Sequence, residues 1–141
     1  MKKLRLFIIS VCALSVLALS GTAFAANAPF DFELTNNGQT FTVDSGSTNK
    51  KVYTDRGWTI YVDSISINSD SAGICFVPFR NSTGSTYVKS GNVKWIKRVR
   101  STTGTYGTGE AVANKNYRIA ARMDDAYYDI FVASGEWNSD T

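Results

Sequence analysis

The chain has 141 residues, with 15 Lys and Arg against 12 Asp and Glu, and no histidine. Such a length allows one domain, or one domain with an address tag. Without histidine, every mechanism that needs an imidazole base or an imidazole metal ligand is excluded.

The first element reads as an export signal. Lys2, Lys3 and Arg5 form a positive start, residues 6–19 are apolar except for Ser10 and Ser15, and Ala23-Phe24-Ala25 has the small-x-small pattern of signal peptidase. The apolar run of 14 residues is shorter than the ~20 a spanning helix needs. We expect a helix over residues 6–19 and cleavage after Ala25, with an uncleaved anchor as the alternative. A single secreted domain then occupies residues 26–141. Cys12 leaves with the signal, so Cys75 stays alone and no disulfide can form within the mature domain. Cys75 lies in the apolar run Ile74-Cys75-Phe76-Val77, where a thiol packs as a small hydrophobe.

The mature chain reads as short strands. Phe30, Phe32 and Leu34 alternate with polar residues, as do Phe41 and Val43 after Asn37-Gly38, a strong hairpin signal. Trp58, Ile60 and Val62 share one parity and Ile65 and Ile67 the other, which predicts a bulge or bend near Asp63-Ser64. Residues 74–79 predict a central strand that ends or bulges at Pro78, which lacks a backbone donor. Residues 86–89 and 93–99 predict further strands, the latter with Val93, Trp95 and Val99 on one parity. Tyr117, Ile119, Ala121 and Met123 alternate next; Tyr128, Ile130 and Val132 follow the turn pair Asp124-Asp125. Residues 44–49 and 101–109, rich in Ser, Gly and Thr, read as exposed loops. Together these spacings predict an all-β fold, a small antiparallel β-sandwich, with an open barrel as the second choice.

Charge is segregated along the mature chain. Residues 26–70 carry six acids and three bases, residues 71–109 six bases and no acid, and residues 110–141 six acids and three bases. The positive excess of the whole chain therefore resides in Lys2, Lys3 and Arg5, and the mature domain is neutral. Arg80, Lys94, Lys97, Arg98 and Arg100, with Trp95 and Tyr106, form the candidate surface-binding set. Cations mixed with aromatics suit anionic cell-wall polymers or phospholipid headgroups. The plainer reading is that acidic neighbours cancel the field.

Other constellations are weaker. Residues 68–79 open like a calcium loop, but the fifth position is Ala72 and the twelfth Phe79. Asp124, Asp125 and Asp129 could meet around a cation, although a turn and a solvated strand explain them more simply. Trp58, Trp95 and Trp137 could stack on sugars, although packing explains them more simply too. A hydrolase would need two flanking carboxylates, and Glu33, Glu110 and Glu136 are the residues to test. No cofactor, metal or specific nucleic-acid partner is expected, and the domain reads as non-enzymatic.

The ending from Tyr128 to Thr141 includes Ser134-Gly135-Glu136-Trp137-Asn138-Ser139-Asp140-Thr141. It resembles the closing "Y-x-x-S-G-x-W-x-x-(acid)-T" pattern of small exported proteins of Gram-positive bacteria, the domain-of-unknown-function family twenty-seven twelve. The layout is similar as well: a signal, Lys50-Lys51-Val52-Tyr53-Thr54 before Trp58, and a loop at Thr105-Tyr106-Gly107. A looser analogy runs to bacteriocins of the lactococcin type. This resemblance implies an exported protein; it supplies no known activity and carries over no catalytic residue. The expected role is a non-enzymatic, bacteriocin-like protein acting at an envelope surface; the alternative is a secreted carbohydrate-binding module that uses aromatic stacking.

Overall fold

A computed structural model of the protein describes residues 25–35, 40–67, 73–123 and 130–141. The expected signal helix lies outside the described residues. Among those residues the fold is all-β, with ten strands and no helix. One antiparallel sheet has four strands in the order β1 (Ala28–Leu34), β10 (Phe131–Asn138), β4 (Trp58–Ser66) and β8 (Arg100–Gly104). The other has six. Its path runs β2 (Thr42–Val43), β9 (Asn116–Met123), β5 (Ile74–Thr83), β6 (Thr86–Lys89), while β3 (Asn49–Lys50) also pairs with β9 and β7 (Lys94–Ile96) with β5.

Period-two patterning builds the core. In β1, Ala28, Phe30, Phe32 and Leu34 are buried while Pro29, Asp31 and Glu33 are exposed. In β9, Tyr117, Ile119, Ala121 and Met123 enter the same hydrophobic cluster as Trp58, Ile60, Val62, Phe131 and Trp137 of the four-stranded sheet. Phe76 of β5 meets Phe30 and Phe32 of β1, with ring centroids 5.6 and 6.0 Å apart. The two sheets thus share one core, and Cys75 lies buried in β5. The parity change in β4 is a bulge: Gly135 faces Val62 and Ser134 faces Ser64, so Asp63 is the extra residue.

Several expectations need correction. Asn37-Gly38 does not join a hairpin, because β1 pairs with β10 and β2 with β9, in different sheets. A turn signal specifies a reversal of the chain, not which strands pair. β5 neither ends nor bulges at Pro78, which keeps register with Ile119. On the other side of β5, β7 pairs with residues 74–76 and β6 with residues 79–83, so the missing N–H falls in the gap between two partners. There the Pro78 carbonyl accepts from Ser90 N at 3.0 Å.

The expected strand over residues 93–99 shrinks to β7 and is followed by a bend at residues 97–99. Part of the expected loop at 101–109 becomes β8, an edge strand with mostly exposed side chains. Such a strand needs no apolar alternation, since backbone pairing with β4 holds it. β10 starts later than expected and with the opposite parity: Phe131, Ala133 and Trp137 face inward, leaving Ile130 and Val132 exposed.

Trp58 is fully buried and its indole N–H donates to Thr105 O at 3.3 Å. Gly104 lies against the ring; a Cβ there would stand 2.2 Å from Trp58 Cε2. Gly104→Ala is expected to lower stability by about 1–3 kcal/mol through overpacking. Urea unfolding followed by tryptophan fluorescence checks this, and an unchanged midpoint would count against the packing.

Candidate functional site

The sheets divide the charge between them. Strands of the six-stranded sheet carry Lys50, Arg80, Lys89, Lys94, Arg118 and Arg122 and no acid. Those of the four-stranded sheet carry Asp31, Glu33, Asp63 and Glu136 against Arg100. Sequence blocks missed part of this, because Arg118 and Arg122 lie in an acid-rich stretch and join the basic sheet only through the pairing of β9 with β5.

Cations and rings alternate on the face of the six-stranded sheet turned away from the shared core. Cys75, Val77 and Phe79 of β5 stand opposite Arg122, Ala120 and Arg118 of β9. Trp95 pairs with Cys75 across β7, and Lys89 with Phe79 across β6. The Arg122 guanidinium lies 5.2 Å from the Phe41 centroid, Lys89 Nζ 5.6 Å from the same ring, and the Arg118 guanidinium 4.5 Å from that of Tyr87. Lys97 Nζ lies 4.4 Å from the Trp95 centroid. Attraction to the ring quadrupole holds the cations over the aromatics and leaves their charge in place.

The expected surface-binding residues fall into three groups. Trp95, Lys97, Arg98 and Arg100 lie together where the chain leaves β7 for β8, and Val99 between them is 58 % exposed. Lys94 begins β7 and is half-buried. Arg80 is drawn into an ion pair with Glu110, 2.9 Å away. Tyr106 sits elsewhere: its hydroxyl donates to Ser139 O at 3.0 Å and its ring meets Tyr117 edge-on at 5.2 Å. Of the tryptophans, Trp58 and Trp137 are fully buried, whereas Trp95 is 46 % exposed. The Trp95 ring packs closely on Gly73, where a Cβ would overlap Nε1.

Tyr106 belongs to a polar clasp that the sequence concealed. Ser47, Asn49 and Lys51 are buried at every second position, a strand period written in polar residues. Each meets the C-terminal segment. Trp137 Nε1 donates to Ser47 O at 2.8 Å, and Ser139 Oγ donates to Asn49 Oδ1 at 2.6 Å. Lys51 Nζ donates to Ser139 O at 2.7 Å, to Arg56 O at 2.8 Å and to Asp140 Oδ1 at 2.8 Å. The Asp140 carboxylate also accepts from Val52 N at 2.6 Å and Tyr53 N at 3.2 Å. The Tyr106 ring lies 4.4 Å from Lys51 Nζ. The closing motif Trp137-Asn138-Ser139-Asp140 is thus spent on holding the chain end.

Among the described residues no three His, Cys, Asp or Glu gather as for a metal, and no helix is long and apolar enough to cross a membrane. Asp124, Asp125 and Asp129, and the start of the calcium-like stretch, lie outside the described residues. Glu33 and Glu136 lie on neighbouring strands but face Val132 and Pro29 respectively. Four ladder positions separate them, about 13 Å, beyond the ~5–9.5 Å of a glycosidase pair. No family model, curated protein or solved structure matches the chain significantly.

Removing one partner of a buried ion pair strands the other charge, so Asp140→Ala is expected to cost about 3–5 kcal/mol. The double variant Lys51→Met, Asp140→Leu should cost less than Asp140→Ala alone. Equilibrium unfolding in urea checks both, and a double variant no more stable than the single would refute the stranded-charge account.

Burial pushes the hydroxyls of Tyr106 and Tyr117 above their ordinary value of 10.0. Their contribution to stability is complete below pH 10.0 and is lost as pH rises further, since only the unfolded chain then ionises them readily. Lys51 acts in the opposite sense: burial lowers it below 10.5, so the cost of burying its charge is relieved as pH climbs toward that value. In an alkaline titration at 295 nm, Tyr106 and Tyr117 should ionise only together with unfolding. Ionisation of all 7 tyrosines in the folded state would contradict their burial.

Proposed function

We propose that the protein is exported with loss of residues 1–25 and acts without catalysis at a cell-envelope surface. Its two sheets form the layers of a β-sandwich, a reading supported by the hydrophobic cluster they share. The basic sheet and the adjoining segment Lys94–Arg100 engage anionic wall polymer or phospholipid headgroups. Membership of the family that the C-terminus resembles, and a bacteriocin-like role, belong to the same reading.

The observation that carries it is the partition of charge: six cations and no carboxylate in the strands of one sheet, with Lys50, Lys89, Arg118 and Arg122 on its outward parity. A neutral mature chain can still present a local positive field when its charges are sorted by face, and the field acts within a Debye length of the surface. Carbohydrate binding by stacking has one observation in its favour, the exposed ring of Trp95. Against it, two of the three tryptophans are sealed in the core, and Phe41, Tyr87 and Trp95 each have a cation over the ring.

Vesicle co-sedimentation of the mature chain tests the proposal. Binding should be strong with phosphatidylglycerol or isolated wall polymer, weak with phosphatidylcholine, and lost in high salt. A cation near an anionic surface contributes about 1 kcal/mol, so Arg98→Gln with Arg100→Gln should weaken binding by roughly 30-fold. Equal binding to zwitterionic vesicles, or binding indifferent to salt, would refute the electrostatic reading. A fluorescence shift with a neutral glycan, unchanged by salt, would favour stacking instead.

A further inference from the structure

The partition of charge has two sides, and the acidic one is built for contact as well. Asp31, Glu33, Asp63 and Glu136 are all exposed on the four-stranded sheet. Asp31, Glu33 and Glu136 point away from the shared core, opposite in parity to Phe30, Phe32 and Trp137; Asp63 stands out at the bulge. None of the four makes an ion pair among the described residues, where the two pairs are Lys51–Asp140 and Arg80–Glu110. Glu136 accepts one hydrogen bond, from Asn27 Nδ2 at 2.9 Å. Tyr61 and Val132 lie beside these carboxylates, 41 % and 37 % exposed, so the face offers contact area as well as charge. The opposite sheet carries Lys89, Arg118 and Arg122 on its outward parity, with Phe79 and Tyr87 among them; Lys89 is exposed and the two arginines are half-buried.

We infer that this protein docks on a second copy of itself, the acidic face of one chain against the basic face of the next. Charge complementarity commits the occupant: the chain carries both halves of the contact. The faces belong to different sheets that meet through the core, so among the described residues neither face neutralises the other. A face-to-opposite-face contact leaves one acidic and one basic face free at the ends, so assembly runs head to tail and stays open. An anionic surface competes for the same basic face as the neighbouring chain. Binding to that surface should therefore shorten the assemblies.

Light scattering after size exclusion, on the mature chain, tests this. Between ~0.01 M and ~1 M salt the Debye length falls from about 30 Å to about 3 Å. The weight-average mass should exceed twice the monomer mass at low salt, grow with concentration, and return to monomer at high salt. Glu33→Lys with Glu136→Lys should abolish association, as should Lys89→Glu with Arg118→Glu. Mixing the two reversed chains should restore it, because the basic face of the first still meets the acidic face of the second. A wild-type monomer at every salt concentration, or reversed chains that associate alone as the wild type does, would overturn the inference. So would folded reversed chains that stay apart on mixing. If a reversed chain fails to fold, judged by near-ultraviolet dichroism from Trp58 and Trp137, Glu33→Gln with Glu136→Gln takes its place; unchanged association of that variant counts against the inference. Vesicle binding by the Glu33→Lys, Glu136→Lys chain reports separately on the proposed function, since its basic face is intact.

Discussion

The clasp between Lys51 and Asp140 is the constraint on which the rest of the structure depends. Lys51 is fully buried, and its ammonium has three acceptors, one for each proton. Asp140 answers with three donors, two of them backbone amides. Each charge is therefore solvated by the protein in place of water, the condition under which a buried ion pair becomes tolerable. Its value lies in specificity as much as in energy. The pair joins the end of β10 to the segment that follows β3, so one strand from each sheet is fixed at that end of the core. Among the described residues no disulfide shares that task.

The clasp and the core are complementary devices. Along β1, alternate apolar side chains enter the shared cluster. Along residues 47–51, alternate polar side chains enter the same interior: Asn49 and Lys51 meet the C-terminal segment, while Ser47 Oγ accepts from Ile119 N of β9 and Ser47 offers its backbone carbonyl to Trp137. Buried polar groups must find partners or weaken the fold. Here the partners of Asn49 and Lys51 come from residues 90 and 88 positions away, and that of the Ser47 hydroxyl from 72. Trp137 takes part in both devices, with its ring in the core and its N–H on Ser47. The closing run Trp137-Asn138-Ser139-Asp140 thus has a structural explanation.

The outer faces of the two sheets differ in chemistry because strands close in space are distant in sequence. Arg118 and Arg122 come from a stretch that is acidic on balance, yet they stand beside Lys89 and Trp95 once β9 and β5 pair. Asp31 and Glu136 come onto one face of the other sheet, two ladder positions apart, through the pairing of β1 and β10, the first and last strands. The charge blocks along the chain pointed to a basic patch; of its residues Trp95, Lys97, Arg98 and Arg100 are exposed, whereas Arg80 pairs with Glu110. They foretold neither the width of the basic face nor the acidic face opposite.

The sequence by itself determined the β class, the inward parity of β1, β4 and β9, the bulge at Asp63 and the burial of Cys75. These follow from period-two hydrophobicity and from composition, which are local. Only the tertiary structure decided that β1 and β2 part into different sheets and that Pro78 falls in a gap between β6 and β7. It also decided that the Ser/Thr-rich stretch after Arg100 is a strand, and that Ser47, Asn49 and Lys51 point inward. The physical reason is common to all of these. A hydrogen bond or ion pair that depends on a distant partner leaves no periodic apolar mark on either strand, so polar residues that read as a loop can form the clasp that closes the fold.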